Sequence, residues 1–287
     1  MSESTSTARP IVRSTRGPAT GALIEGLKMA RERTGLPGFV VGGILVFFGS
    51  FYLLRAIIGV AAPAIGAASV GTITSLIAIA YTAWVTLNAY EQYSDRTRAA
   101  AISERPSIDT AEDAFELLTS ADTDAREYAA DCVASTVSLG PSKVLTVLRT
   151  DPETVVGFIL PYLHSGQEAV QVDMALALSF FARDYPEPVS VHSEALLDLL
   201  ERTELPPAVR AEIATSVGFL SLGTTDIDTE RVERNGLELA DAVKPDLRIA
   251  ACYMLAGVGS DPARDRLKEL AENDDDEEVR AHAEELY

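Results

Sequence analysis

Residues 244–286, KPDLRIAACYMLAGVGSDPARDRLKELAENDDDEEVRAHAEEL, hold two copies of one helix opening. In the first, Pro245 and Asp246 precede Leu247-Arg248; in the second, the acids Asp274 to Glu278 lead into Val279-Arg280. Proline fits the first helical turn, where its missing N–H is not needed, and acids there complement the positive end of the helix dipole. A partner helix is expected between them at about 263–272. Toward the N-terminus the scheme recurs at Val209-Arg210, after Pro206-Pro207, and at Ala125-Arg126, after Asp122 and Asp124. A degenerate copy at Val172-Asp173 fills the gap, with Asp173 where the others carry arginine. Steps between these positions are 47, 37, 38 and 32 residues, in the range of two-helix repeats. Further partner helices are expected at about 111–120, 142–149, 153–164, 193–202 and 230–242.

Each helix pair is apolar on one side only, so a lone pair cannot bury its face and stacking is required. Ala129, Ala251 and Ala283, each the third residue after the repeat arginine, let neighbouring helices come close. On these residues the chain over about 107–287 resembles the HEAT-repeat family, and its final part the short variant often called PBS-lyase HEAT-like. The resemblance implies an all-α protein in which an α-solenoid of about 4–5 HEAT-like repeats follows the N-terminal region. It implies that Arg126, Arg210, Arg248 and Arg280 bond across to turn acids of neighbouring repeats, with the ladder interrupted at Asp173. It also implies protein binding or scaffolding, since catalysis is uncommon in that family.

The first third has a different character. Leu36 to Tyr90 contains one charged side chain, Arg55, over a length that fits two membrane spans of roughly 20 residues each. Spans are expected at about 37–57 and 66–90, with Gly59 and Pro63 marking the turn of a transmembrane hairpin over 36–93. The apolar runs are too long, and begin too far into the sequence, for a secretory signal, so a retained anchor is expected. Arg9, Arg13, Arg16, Lys28, Arg31 and Arg33 precede the hairpin and Arg96, Arg98 and Arg105 follow it, which by the positive-inside rule places both ends in the cytoplasm. Tyr81, Trp84, Tyr90 and Tyr93 then sit at the inner boundary, and Phe51 and Tyr52 near the outer one. Arg55, at the end of the first span, reads as an arginine reaching the headgroups, with an ion-pathway charge as the alternative. Gly38 and Gly42 form a GxxxG, and Ala67, Gly71 and Ser75 a small-residue stripe, both suited to close helix packing within the hairpin or between chains of a homo-oligomer. Ahead of the hairpin, residues 1–35 begin with a Ser/Thr/Arg-rich segment expected to be disordered. Gly21–Thr34 then suits a short interfacial helix with Leu23, Leu27 and Ala30 on one face, or a plain polar lead-in. Residues 94–106 read as a linker.

Charge divides the chain at the same place. Residues 1–105 hold 10 basic and 6 acidic side chains, residues 106–287 hold 14 and 37, and the whole carries −19. An acidic half of this kind repels phosphate, so no nucleic-acid partner is expected. Only four of the 24 basic residues are lysine. Together with the dispersed acids this resembles the proteomes of salt-loving archaea, where such charge serves solubility.

A search for chemistry finds little. His164, His192 and His282 form no adjacent His-Glu pairs, no HExxH, GxSxG, P-loop or CxxC occurs, and Cys132 and Cys252 fall on apolar helix faces. No catalytic, metal or cofactor site is expected. The sequence therefore reads as a plasma-membrane, multi-pass scaffold with a cytoplasmic solenoid that binds protein partners, held to lipid by two transmembrane helices. Alternatives are a subunit of a transporter, channel or other membrane machine, or a HEAT-like lyase or hydroxylase.

Overall fold

A computed structural model of the chain describes residues 23–24, 27–28, 42–54, 56–57, 67–224 and 226–287, and among these every regular element is helical. The chain divides into two compact units, residues 1–98 with 119–125 and residues 99–118 with 126–287.

In the first unit, α1 (Gly42–Leu54) and the greater part of α2 (Ala67–Ser103) are joined by short helical pieces at Leu23-Ile24 and Leu27-Lys28. Among the described residues one helical stretch, Thr72–Ser103, is long and apolar enough to cross a membrane; Gly42–Leu54 is apolar but shorter. The expected first span is thus represented by 42–54, while Gly38, Arg55 and the turn around Gly59 and Pro63 lie outside the described residues, as does the segment 1–20. Ile24 and Leu27 are buried with Val46 of α1 and with Val85 and Ala89 of α2, and Leu23 and Tyr81 pack around them. The apolar face expected to rest on lipid at Leu23 and Leu27 is therefore committed to protein.

Lys28, read from the sequence as a leaflet-facing charge, is buried and ion-paired to the fully buried Asp122. The other carboxylate oxygen of Asp122 accepts from the Ala125 N–H at 2.9 Å, so one side chain both caps a helix start and neutralises a buried ammonium. Ser120 donates to Asp95 at 2.6 Å, and Arg96 lies 3.0 Å from Asp124. These bonds tie residues 119–125 to α2, which explains why the segment groups with the first unit.

The second unit contains α3 (Ala111–Leu117), α4 (Thr123–Ser138, from Arg126 on), α5 (Pro141–Leu148), α6 (Pro152–Ile159) and α7 (Glu168–Asp184). It continues through α8 (Pro186–Ser190), α9 (Ser193–Leu200), α10 (Pro207–Gly223), α11 (Thr229–Leu239), α12 (Pro245–Val258), α13 (Asp261–Asn273) and α14 (Glu277–Leu286). Proline in the first helical turn opens α5, α6, α8, α10 and α12, and side-chain caps open others: Asp228 accepts from Arg231 N–H, Ser260 from Ala263 N–H, Asp276 from Glu278 N–H. These starts are what made the helices legible. Two differences have local causes. The helix expected over 153–164 ends at Ile159 and continues as a 3-10 turn, Leu160–His164, because Pro161 cannot donate to the carbonyl four residues back. The short α8 was not expected; Pro186 starts it directly after α7.

Two layers result. The first contains α7, α10, α12 and α14, with α4 bonded to the turn before α7 through Arg126; α10 packs against α7 and α12, and α12 against α14. The second contains α9, α11 and α13, with α11 touching both neighbours and α12. Ala129, Ala251 and Ala283 are fully buried. The closest approach, however, is at glycine. A Cβ on Gly218 of α10 would meet Tyr253 Cβ at 2.6 Å and Met254 N at 3.0 Å on α12, and one on Gly257 would overlap Ser221. A methyl group at either place forces two helix backbones apart.

Candidate functional site

The functional candidates of a repeat array are the junctions that fix one repeat on the next and the helix face left uncovered. At the junctions, the fourth residue of each first-layer helix carries the polar side chain. Arg248 of α12 is the most fully bonded. Its Nε and Nη2 each donate to Asp274 at 2.8 Å, Nη2 donates to Asp275 at 2.7 Å, and Nη1 donates to the Ala242 and Val243 carbonyls at 2.9 and 3.1 Å. Asp274 lies in the α13–α14 turn of the following repeat and is almost fully buried. Burial alone would raise its carboxyl, but the Arg248 bonds and the Asp276 N–H outweigh it and hold Asp274 below the usual carboxylate range.

The other positions close their junctions differently. Arg126 donates to the amide oxygen of Gln167 at 2.8 Å, in the turn before α7, and Gln167 in turn donates to Glu127 at 3.2 Å. Arg210 donates to the Leu200 carbonyl at 3.4 Å and lies 3.8 Å from Glu238. Arg280 donates to the Asp274 carbonyl at 2.6 Å. Turn acids thus receive short bonds from Arg248, an amide serves Arg126, and main-chain carbonyls serve Arg210 and Arg280.

Asp173 is not the equivalent of the arginines. The fourth residue of α7 is Gln171, which is buried and donates to the Leu163 and Ser165 carbonyls at 3.1 and 2.5 Å, as Arg248 does to the carbonyls of the turn before its own helix. Val170-Gln171 is therefore the counterpart of Val209-Arg210 and Leu247-Arg248, and the degenerate copy is shifted by two residues from the Val172-Asp173 reading. Asp173 falls instead on the half-exposed side of α7, where burial and then the charges of Asp131 and Glu127 on α4 push its carboxyl up to about 6.

That side of α7 continues across the layer. Leu176 and Phe180 on α7, Glu212, Thr215 and Phe219 on α10, and Ile249 and Tyr253 on α12 are half-exposed, while the residues between them are nearly all buried. Phe219 and Tyr253 have ring centroids 5.0 Å apart, and the Tyr253 hydroxyl is 3.3 Å from His282 Nδ1 on α14. Burial raises the Glu212 carboxyl, and Asp246 adds to the rise. The sequence reading missed this surface and Gln171. The signal for both was present, in Val170-Gln171 and in acids that recur on the same helix face as aromatics.

The remaining candidates are scattered. Gly42 approaches Leu27 and Gly43 approaches Thr86 of α2, so the contact between α1 and α2 passes through Gly43. Ala67 and Gly71 belong to α2, and Ser75 is half-buried there. His164 contacts Arg202 at 3.0 Å, far in sequence from His192 and His282, and among the described residues no group of His, Cys, Asp and Glu side chains could hold a metal ion. Cys132 and Cys252 are buried, and burial pushes the Cys252 thiol up to about 12, which leaves it protonated at neutral pH.

No curated protein matches the chain significantly. Similar solved structures include a computationally designed armadillo repeat protein for modular peptide recognition, 13% identical, covering 71% of this chain and 92% of its own, with a TM-score of 0.47. Two engineered proteins are each 17% identical and cover 92% of this chain; one is covered over 94% of its length with a TM-score of 0.47, the other over 72% with 0.48. In sequence, residues 193–287, which begin at the first residue of α9 and take in Arg210, Arg248 and Arg280, match the family model of HEAT repeats.

Proposed function

We propose that the chain is a membrane-anchored HEAT-repeat scaffold that binds protein partners at the cytoplasmic face of the plasma membrane and does not itself catalyse a reaction. The protein-binding part rests on the HEAT match over 193–287 and on a layer of helices whose outer side has no covering element among the described residues. The membrane part rests on one observation. Large apolar side chains that are exposed concentrate between residues 44 and 90: Leu45, Tyr52, Leu53, Leu76, Ile79 and Leu87 are each more than half exposed. A soluble protein that left such a surface in water would aggregate; lipid is the solvent that accepts it. The charges Glu91, Asp95, Arg96 and Arg98 begin where that surface ends, as they should at the edge of the hydrocarbon.

The basic flanks support cytoplasmic termini, although Lys28 is occupied by Asp122 and contributes nothing to lipid contact. Tethering raises the effective concentration of a partner at the bilayer, so a modest affinity suffices. Most acids on the second layer are solvent-exposed, which suits a solubility role in a salt-rich cytoplasm. Two experiments test the reading. The full chain should stay with lipid through an alkaline carbonate wash. A cysteine at position 61 should react with an impermeant reagent on intact cells, while one replacing the exposed Lys268 should react only after lysis. Release by carbonate would defeat the anchor, and the opposite labelling pattern would place the repeats outside.

A further inference from the structure

The uncovered side of the first layer carries a regular chemical pattern. Asp173 is followed by Phe180, Glu212 by Phe219, and Asp246 by Tyr253, each aromatic seven residues after its acid. Seven residues are nearly two helical turns, so acid and aromatic lie on the same face about 10 Å apart along the axis. The same step in three successive first-layer helices produces two rows that cross the layer, one of carboxylates and one of aromatic rings. Glu212 and Asp246 are close enough to raise the Glu212 carboxyl, and Phe219 and Tyr253 are in ring contact, so both rows are continuous from α10 to α12.

The pattern differs from the solubility charge of the second layer. There, carboxylates are well exposed or already paired, as where Arg231 holds Glu194 and Asp198, each at 2.8 Å. Asp173 and Glu212 are half-buried, whereas Asp246, at the end of the row, is exposed, and no ion pair to a described residue neutralises any of the three. An acid placed for solubility gains nothing from partial burial beside other acids. Half-buried charges are also screened less by salt, so they keep their pull on a cation where exposed charges lose it.

We infer that this face is a docking groove for an extended, basic segment of a partner protein, whose Lys or Arg side chains meet the carboxylate row while its apolar side chains lie on the aromatic row. Charge complementarity selects the occupant: an acidic or neutral segment would leave the carboxylates desolvated and unpaired. Geometry agrees. Packed helices stand about 8–10 Å apart, and a chain in the extended polyproline II conformation advances about 9 Å in each three-residue turn, so a basic residue at every third position returns to the same face once per helix. The faces of Phe219 and Tyr253 add cation–π and apolar contact, while Phe180 already carries the Arg183 guanidinium 5.1 Å from its ring centroid. This inference rests on the scaffold reading and names the chemistry of its partner.

The test uses the full chain in detergent micelles and a fluorescent peptide of about 12 residues repeating Lys-Leu-Ser, with a Glu-Leu-Ser peptide as control. Anisotropy should show saturable binding of the basic peptide only. The double variant Asp173→Asn, Glu212→Gln should weaken it about tenfold, and Phe219→Ala with Tyr253→Ala by at least as much. Glu153→Gln with Glu272→Gln, on exposed positions elsewhere, should leave it unchanged, and circular dichroism should show all variants folded. Equal binding of both peptides, binding indifferent to the groove variants, or no binding of the basic peptide overturns the inference. Photo-crosslinkers at Thr215 in the groove and at Glu272 outside it, used in native membranes, separate that failure from failure of the scaffold reading. Adducts at Glu272 alone leave a scaffold with a different docking face, whereas adducts at neither remove the scaffold as well.

Discussion

Replacing Arg248 by leucine should loosen the last repeat while leaving the earlier ones intact. The guanidinium makes five bonds, of which the pair to Asp274 and the two to the Ala242 and Val243 carbonyls are in largely buried surroundings. Asp275 is 92% exposed, so its share is small. Removal of Arg248 leaves the Asp274 carboxylate buried without a counter-charge, a change that costs about 3–5 kcal/mol. Were the unit to melt as one, that would lower its midpoint by about 6–20 °C. In a stack of repeats the loss is expected to stay local, because each repeat touches only its neighbours. Hydrogen exchange on the full chain should therefore show protection falling across α13 and α14 and little change in α7 and α10. The effect also has a pH signature. Asp274 is held below its ordinary pKa, so its contribution is present above about 4 and fades as pH falls below that value. The gap between wild type and Arg248→Leu should close in acid. A double variant, Arg248→Leu with Asp274→Leu, should cost less than the two single changes added. Additive costs, or unchanged exchange in α14, would refute the assignment of this arginine as the clamp on the last repeat.

Other perturbations probe other links. Gly218→Ala or Gly257→Ala should each destabilise the repeat unit by about 1–3 kcal/mol in chemical denaturation, since the added methyl meets the facing helix. Lys28→Met leaves Asp122 buried and unpaired and should cost about 3–5 kcal/mol, whereas Lys28→Met with Asp122→Asn should recover part of the loss, read as thermal stability in detergent. Asp173→Asn should stabilise the protein at pH 8 by about 1 kcal/mol, after discounting for the exposure of the side chain. Its folded pKa is raised to about 6, so the charged form is disfavoured by folding; the advantage should shrink as pH falls through 6 and vanish near pH 4.

How much of this was readable beforehand depended on local chemistry. Helices that open with proline or a capping acid, such as α10, α12 and α14, were placed within a few residues from sequence. α7 opens after Gln167, which makes no side-chain cap, so only the Val170-Gln171 pair marks its register, and the reading at Val172-Asp173 falls two residues late. The 3-10 turn at Leu160–His164 follows from Pro161 and could have been read. The burial of Lys28 could not, because its partner Asp122 stands 94 residues away. Nor could the contact of Gly218 with Tyr253, since glycine inside a helix carries no sign of what approaches it.

The junction side chains show why a repeat signature predicts position better than partner. At the fourth helical residue a long polar side chain faces the turns on either side, and those turns always offer carbonyls left unsatisfied by the preceding helix end. Arginine, with five donors, can satisfy them and still reach a carboxylate when the next turn supplies one, as Asp274 does for Arg248. Where the next turn supplies an amide, as at Gln167, the arginine at this site donates to it. Gln171, with two donors, closes its own turn through the Leu163 and Ser165 carbonyls and has nothing left for the next repeat. Gln171→Arg should therefore fold, since Arg210, Arg248 and Arg280 occupy the same site. The one acid placed there as Asp274 is before α14, Glu204, is already held by Arg202 at 2.8 Å, so Gln171→Arg should add stability mainly when a second acid is supplied in the turn before α10, for example by Thr203→Asp. A gain from Gln171→Arg alone equal to that of the pair, measured by chemical denaturation, would show that the carbonyls rather than the cross-repeat acid limit the strength of this junction.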